Sequence, residues 1–203
     1  MKSLEGMSIL VTGGGSGIGL GTARYCIERG ARVTICGRRE DKIQAAAADL
    51  GDACCGVAAD ITQAADRQEL YEAALDHGGR LDALINNAGN MYRGAITELD
   101  ETALQEVFHT NVIAAMMLTG LCTPSLAQQQ GAVVFVGSIH TRRAFPGASP
   151  YAATKAAVQG LSRVLAAELG EQKIRVNCLL PGAVFTEINQ RAGLMDDETA
   201  LQR

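Results

Sequence analysis

The 203-residue sequence is poor in several features that would otherwise suggest a function. It has no tryptophan, and its four prolines form no cluster that would mark a linker between domains. Its six cysteines include no CxxC pair and no spacing with histidine that suggests zinc. We therefore expect a single domain over residues 1–203, with reduced thiols packed as small apolar side chains and no metal site.

The chain also lacks a basic excess and a long apolar run. Its 18 Lys and Arg are outnumbered by 22 Asp and Glu, which disfavours a nucleic-acid partner. The longest uninterrupted apolar run, Val112 to Leu118, is much shorter than the roughly 20 residues of a membrane-spanning helix. Glu5 and the glycines after it interrupt the N-terminal apolar run, which argues against a secretory signal. We expect a cytoplasmic protein without a membrane partner.

Short apolar runs alternate with longer helical patterns along the whole chain. The runs carry almost no charge, as expected of strands covered on both faces. This alternation predicts an α/β fold of the Rossmann-like, doubly wound type, with a parallel sheet and helices on both faces. The predicted strands are 8–12, 32–36, 54–59, 83–86, 132–137 and 175–180, and the predicted helices lie near 18–29, 39–49, 63–77, 100–128 and 151–170.

Glycine is abundant, at 23 of 203 residues, against an average usage of about 7%. Several glycines follow the first strand and precede the first helix. A strand, a glycine-rich turn and a helix N-terminus together form an anion site, because free amides and the helix dipole attract phosphate. The spacing is T-G-x-x-x-G-x-G, since Leu20 stands where G-x-G-x-x-G needs glycine. A tight loop without a ligand is the alternative. The residues concerned are Thr12, Gly13, Gly15, Ser16, Gly17, Ile18 and Gly19.

The end of the second strand favours a phosphate on the adenosine ribose of a dinucleotide. This strand end reads Gly37-Arg38-Arg39 and carries no carboxylate at its tip. A carboxylate here would bind a ribose 2′-hydroxyl, whereas arginine accommodates a 2′-phosphate. We therefore expect NADP rather than NAD, although NAD is retained, and the two arginines could equally be a solvated pair that opens a helix.

Tyr151 and Lys155 are four residues apart at the start of a predicted helix, which places them on one face. A neighbouring ammonium favours the phenolate and lowers the pKa of a tyrosine, which would make Tyr151 a usable acid or base. The pattern is common by chance, so its meaning depends on the motifs around it.

With these motifs the chain resembles the short-chain dehydrogenase/reductase family, in its shorter single-domain branch. The glycine loop, Asn86-Asn87-Ala88-Gly89 after the fourth strand, and the order of a catalytic tetrad all match. The resemblance implies that the tetrad is Asn111, Ser138, Tyr151 and Lys155. It implies cofactor contacts at Asp60, Ile61, Asn87, Ala88, Gly89, Tyr151, Lys155, Pro181, Gly182 and Thr186, besides the glycine loop and residues 37–39.

The resemblance implies hydride transfer between a nicotinamide cofactor and a ketone or secondary alcohol. Tyr151 would be the general acid in reduction and the general base in oxidation, and Lys155 would lower its pKa and hold the nicotinamide ribose. Ser138 would hydrogen-bond the substrate oxygen, and Asn111 would hold a relay water. The alternatives are a binding protein that senses the cofactor without chemistry and, disfavoured by glycine spacing and length, epimerase or dehydratase chemistry.

The resemblance also implies self-association and a missing C-terminal part. Relatives form dimers or tetramers through the helices that correspond to 100–128 and 151–170, which here carry many small and apolar side chains. They also continue with a further helix and a seventh strand, so we expect these residues to be part of a longer enzyme. Arg93, His140, Arg142 and Arg143 could favour an anionic substrate or could belong to a solvated loop.

Overall fold

The computed structural model describes residues 3–182 and 184 and contains one parallel sheet of six strands in the order β3-β2-β1-β4-β5-β6. The chain starts at the centre with β1, runs to one edge at β3, returns to the centre at β4 and then runs to the other edge at β6, which brings β1 and β4 together in the middle. A crevice at such a reversal is where doubly wound folds bind ligands. The strands are β1 (Ser8–Thr12), β2 (Arg32–Gly37), β3 (Cys54–Ala58), β4 (Ala83–Asn86), β5 (Ala132–Val136) and β6 (Arg175–Leu179).

Helices connect successive strands, with the two faces of the sheet packed differently. The helices are α1 (Gly17–Ile27), α2 (Glu40–Leu50), α3 (Ala64–Gly78), α4 (Glu101–Phe108), α5 (Ala114–Gln129) and α6 (Ser149–Glu168). Side chains of α1 and α2 share one apolar core with β1 and β2, and those of α3, α5 and α6 share a larger core with the other face. The predicted doubly wound α/β fold is therefore confirmed, with helices on both faces.

Burial explains the absence of charge in the central strands. All five residues of β1 are buried, and Leu10 and Val11 are fully inaccessible to solvent. By contrast, β6 lies at a sheet edge among the described residues, and its burial alternates, with Leu179 57% exposed. The predicted strand bounds differ from the observed ones by at most one residue at either end.

The predicted helix over 100–128 is not continuous. It divides into α4 and α5, and between them His109–Ile113 form a wider π turn, in which the amide of Ala114 bonds the carbonyl of His109. Such turns inside α-helices are rare and are frequent at functional sites. This turn contains Asn111, a member of the predicted tetrad.

The stretch Glu101–Gln129 is also long and apolar enough to cross a membrane by length and composition. No uninterrupted apolar run in the sequence is long enough to predict a membrane-spanning helix here. A core helix passes the same test, and this stretch packs Leu118, Cys122 and Leu126 into the interior. The finding is therefore weak evidence for a membrane span.

Candidate active site

The glycine loop between β1 and α1 is shaped by contacts that leave no room for side chains. Gly13 has a φ of +66°, and a Cβ there would lie 2.9 Å from the Cα of Ala88. A Cβ on Gly19 would lie 2.5 Å from the side-chain amide nitrogen of Asn87 and closer still to the carbonyl oxygen of Gly13. Ser16 precedes α1 without a side-chain cap, so it leaves the first amides of the helix to other acceptors. This cradle fits the pyrophosphate of a dinucleotide.

Hydrogen bonds from the loop after β4 hold the glycine loop in place. The hydroxyl of Thr12 accepts from the main-chain amides of Asn87 at 3.0 Å and Ala88 at 2.9 Å. The side-chain amide of Asn87 in turn donates to the carbonyls of Thr12 at 2.9 Å and Gly13 at 3.1 Å. The structure thus brings together two motifs that lie about 75 residues apart in the sequence.

The remaining predicted cofactor residues lie around the same end of the sheet, as far as the structure describes them. Gly37 ends β2, and the exposed Arg38 and Arg39 follow it. The Asp60 carboxylate accepts from the amide and hydroxyl of Thr62 and so orders the turn that contains the buried Ile61. Thr186 lies outside the described residues, and the carbonyl of Pro181 accepts from the amide of Ile139 at 3.0 Å. Gly182 follows and is exposed.

Ser138 follows β5 and lies at the centre of the catalytic group. Its side chain is buried, and its hydroxyl is near enough to Tyr151 to lower the pKa of that residue. Its Oγ also accepts from the main-chain amide of His140 at 3.2 Å and lies 3.0 Å from the Nδ1 atom of the same residue. A serine at a strand end with these neighbours is ready to contact a substrate oxygen beside Tyr151.

Tyr151 is 8% exposed in the first turn of α6, where Pro150 precedes it. Burial raises the pKa of the Tyr151 hydroxyl, and the neighbouring Ser138 hydroxyl offsets the rise in part. The spacing of Tyr151 and Lys155 in the sequence predicts a lowered pKa for the tyrosine, whereas in the structure this pKa is raised. The physical reason is that desolvation penalises the phenolate, while the Lys155 Nζ lies 5.6 Å from the centre of the tyrosine ring.

Lys155 is almost completely buried, one helical turn after Tyr151. Its Nζ donates to the carbonyl of Val136 at 2.8 Å, which fixes the long side chain between α6 and β5. Desolvation lowers the pKa of Lys155 to about 8. A Cβ on Gly89 would lie 3.4 Å from the Nζ, so glycine at this position lets the loop after β4 pack closely against the ammonium.

Asn111 connects the π turn to two other elements. Its Oδ1 accepts from the amide of Asn90 at 2.7 Å, and its Nδ2 donates to the carbonyl of Asn90 at 2.9 Å and to the hydroxyl of Thr154 at 3.0 Å. Thr154 also donates to the carbonyl of Tyr151 at 2.8 Å. The Asn111 side chain therefore fixes the loop after β4 against the helix that carries Tyr151 and Lys155.

The structure thus gathers all four tetrad residues at one end of β4 and β5. Sequence reasoning missed Asn90 and Thr154, the partners of Asn111. Thr154 stands beside Lys155 and Asn90 directly follows Gly89, so their proximity to known motifs was the available signal. The contact between His140 and Ser138 was also missed, because His140 was considered only for its charge.

Comparison with known proteins places this site in a family. The sequence pattern of the short chain dehydrogenase family matches residues 7–197. An uncharacterized oxidoreductase of Methylorubrum extorquens is 35% identical over 202 residues, which are 98% of this chain and 81% of that protein. Dehydrogenase/reductase SDR family member 4 of Sus scrofa is 34% identical over 194 residues, 93% of this chain and 70% of that protein.

Solved structures agree with the sequence comparison. The 3-ketoacyl-(acyl-carrier-protein) reductase of Brucella melitensis, in complex with NADH, is 34% identical with a TM-score of 0.90. The match covers 93% of this chain and 80% of that one. A short-chain dehydrogenase/reductase of Caenorhabditis elegans, solved with cofactor, is 28% identical with a TM-score of 0.89, over 98% of this chain and 77% of that one. With this fold and this arrangement of motifs, the chain belongs to the short-chain dehydrogenase/reductase family of oxidoreductases.

Proposed function

We propose that this protein transfers a hydride between NADP(H) and a ketone or secondary alcohol, with Tyr151 as its general acid and base. The observation that carries the proposal is that the buried Ser138, Tyr151 and Lys155 lie together at the ends of β5 and α6, with the Ser138 hydroxyl near enough to Tyr151 to lower its pKa. This trio lies against the loop after β4, which also anchors the glycine cradle. A substrate oxygen next to Tyr151 would therefore be close to a bound nicotinamide.

The nicotinamide would supply or accept the hydride, and the protein positions and polarises the reacting groups. Ser138 and Tyr151 both present hydroxyl groups, so together they would bind one substrate oxygen as charge develops on it. The raised pKa keeps Tyr151 protonated at neutral pH, which suits a group that donates a proton to a reduced carbonyl. Lys155, whose ammonium lies next to Gly89, would bind the ribose hydroxyls.

Asn111 contributes in a different way. Its side chain is hydrogen-bonded to Asn90 and Thr154. We therefore assign to it, as its first role, holding the loop after β4 in place against α6. The relay water that the family resemblance attributes to it remains a prediction.

Support for NADP over NAD comes from Arg38, which is exposed beyond the tip of β2 where a carboxylate would select the 2′-hydroxyl. The Brucella relative was solved with NADH, so the preference proposed here depends on this chain's own residues. We expect Arg38→Ala to raise the KM for NADPH about tenfold, since a charge-assisted contact contributes about 1.5 kcal/mol or more. The KM for NADH serves as the internal control and should not change.

The main test measures nicotinamide absorbance with a panel of ketones and alcohols. Tyr151→Phe should reduce kcat by about two to four orders of magnitude, because general acid catalysis is lost, while fluorescence titration shows unchanged cofactor affinity. Tyr25→Phe, a change at an exposed tyrosine on α1, is the matched control and should turn over normally. Unchanged turnover in Tyr151→Phe would refute the assigned role.

A cofactor-binding sensor without chemistry is the second candidate. It would bind NADPH and turn over no member of the panel, and Tyr151→Phe would then change nothing measurable.

We also propose that the protein forms a homodimer or homotetramer. Support comes from apolar side chains that are about half exposed on the π turn, α5 and α6: Ile113, Met116, Met117 and Val164. Sedimentation as a monomer at micromolar concentration would contradict this.

A further inference from the structure

The imidazole of His140 touches the catalytic group without belonging to the predicted tetrad. Its Nδ1 lies 3.0 Å from the Oγ of Ser138. Its ring meets the ring of Tyr151 edge-on, with centroids 5.3 Å apart, and packs on Phe145 at 4.2 Å. His140 therefore has a defined orientation toward both hydroxyl-bearing residues of the site.

The hydrogen-bond capacity of Ser138 is limited to one proton and two lone pairs. The main-chain amide of His140 occupies one lone pair, at 3.2 Å. If Nδ1 accepts the serine proton, none is left for Tyr151 or for a substrate oxygen. If Nδ1 carries a hydrogen and donates it into the second lone pair, the serine proton stays available.

We propose that His140 is a positioning residue that donates from Nδ1–H to Ser138 and thereby directs the serine proton toward Tyr151 and the substrate oxygen. The proposal rests on the proposed function, because Ser138 must act there as a donor. His140 acts through Ser138 and has no direct role in the proton transfer assigned to Tyr151. Its hydrogen bond also polarises the serine hydroxyl and strengthens it as a donor.

The surroundings of His140 favour a neutral ring. Desolvation and the nearby Arg93 guanidinium lower the pKa of His140. The Arg93 Nη2 is itself held by the carbonyl of Pro146 at 3.1 Å. A neutral imidazole carries one hydrogen on either nitrogen, and a serine hydroxyl can pair with Nδ1 in both forms. We assign the hydrogen to Nδ1 because only that form leaves the serine proton available.

The first experiment reads the tautomer directly. Ring nitrogen-15 chemical shifts are recorded on the full chain at neutral pH, with the His140 signals assigned by their loss in His140→Asn. We expect a protonated Nδ1 and an unprotonated Nε2, and the reverse pattern would overturn the proposal. Because this measurement needs no turnover, it tests the assigned tautomer separately from the proposed activity.

The second experiment tests whether the effect of His140 on kcat comes from a hydrogen-bond donor at the Nδ1 position or only from the volume of the side chain. Asparagine can place its amide NH₂ near that position, whereas glutamine reaches one atom further. We expect His140→Ala and His140→Gln to lower kcat about three- to tenfold, the range for one hydrogen bond, and His140→Asn to retain most of it. Cofactor affinity should stay unchanged in all three variants, because His140 acts on the substrate oxygen through Ser138.

Two controls make the kinetic result specific. His77→Asn removes a histidine at the end of α3, remote from Ser138, and should leave kcat unchanged. In a Ser138→Ala background, His140→Ala should cause no further loss, because the residue through which it acts is gone. Equal kcat values for His140→Asn and His140→Gln, or additive losses with Ser138→Ala, would overturn the proposal.

Discussion

The two halves of the sheet build their parts of the site by opposite means. In the nucleotide half, β1 to β3 with α1 and α2, the site depends on missing side chains, since Gly13 and Gly19 touch backbone or amide atoms directly. In the catalytic half, β4 to β6 with α4 to α6, it depends on buried polar side chains that bond one another across elements, such as Asn111, Thr154 and Lys155.

This contrast predicts different responses to mutation. A bulky substitution in the nucleotide half should distort a ligand cradle and leave the opposite half intact. Removal of a polar side chain in the catalytic half should leave buried donors and acceptors without partners, which costs more stability than a distorted cradle. Substitutions in the nucleotide half should therefore mainly lower cofactor affinity, and substitutions in the catalytic half should mainly lower stability.

The largest loss of stability is expected for Asn111→Ala. It leaves the amide and carbonyl of Asn90 and the hydroxyl of Thr154 without their partner in a region where Asn111 is 3% exposed. We expect the free energy of unfolding to fall by about 2–4 kcal/mol, measured by urea denaturation. Cofactor affinity should fall less than in the glycine variant described below.

Thr154→Val provides a graded comparison for this result. It removes one of the three bonds of Asn111 and the bond from Thr154 to the carbonyl of Tyr151, and it preserves most of the side-chain volume. Its loss of stability should therefore be smaller than that of Asn111→Ala. An equal or larger loss would show that Thr154, rather than Asn111, organises the junction between the loop and α6.

The second prediction concerns Gly19→Ala in the nucleotide half. The added methyl meets the carbonyl of Gly13 and the side chain of Asn87, so the loop must shift. We expect a stability loss of about 1–3 kcal/mol from overpacking and a decrease in cofactor affinity of more than tenfold, measured by fluorescence titration. Gly21→Ala is the matched control, since a Cβ at that position on the same helix meets nothing within 4 Å.

Gly21→Ala should be neutral or stabilising by up to about 1 kcal/mol, because alanine favours the helix over glycine. Unchanged cofactor affinity in Gly19→Ala would break the comparison, since the cradle would then tolerate a side chain. A large loss of cofactor affinity in Gly21→Ala would also contradict the comparison, because the loss would then come from helix propensity and not from lack of space.

The same contrast explains which parts were predictable from the sequence. Strand positions followed from uncharged apolar runs, and the glycine loop followed from a local spacing that leaves its signature within eight residues. The break between α4 and α5 was not predictable, because it depends on Asn111 bonding residues 21 and 43 positions away. Local propensity carries no information about such partners.

The pKa of Tyr151 was expected in the wrong direction for a related reason. Spacing places Lys155 on the same face of α6, but it does not reveal the carbonyl of Val136, which holds the ammonium. Nor does it reveal how completely both side chains are buried. Desolvation is a property of the packed structure, so a rule based on neighbouring charges alone omitted the larger effect.

The last prediction is a change of stability with pH that belongs to Lys155. Its pKa is about 8 in the folded protein and near 10.5 in the unfolded chain. Between these values the unfolded chain binds more protons, so the lysine makes the free energy of unfolding rise with pH, by at most about 1.4 kcal/mol per pH unit. Below pH 8 both states are protonated, and the cost of the buried charge is constant.

Lys155→Met isolates this contribution, because the raised pKa values of Tyr151, Cys36 and Cys122 act in both proteins. Those groups stay protonated in the folded state and make stability fall at high pH, which would mask the lysine in the wild type alone. The free energy of unfolding of the wild type minus that of Lys155→Met should therefore rise between pH 8 and 10. A flat difference would mean that Lys155 keeps an ordinary pKa, and that the catalytic half solvates its charge far better than its burial and its bond to Val136 indicate.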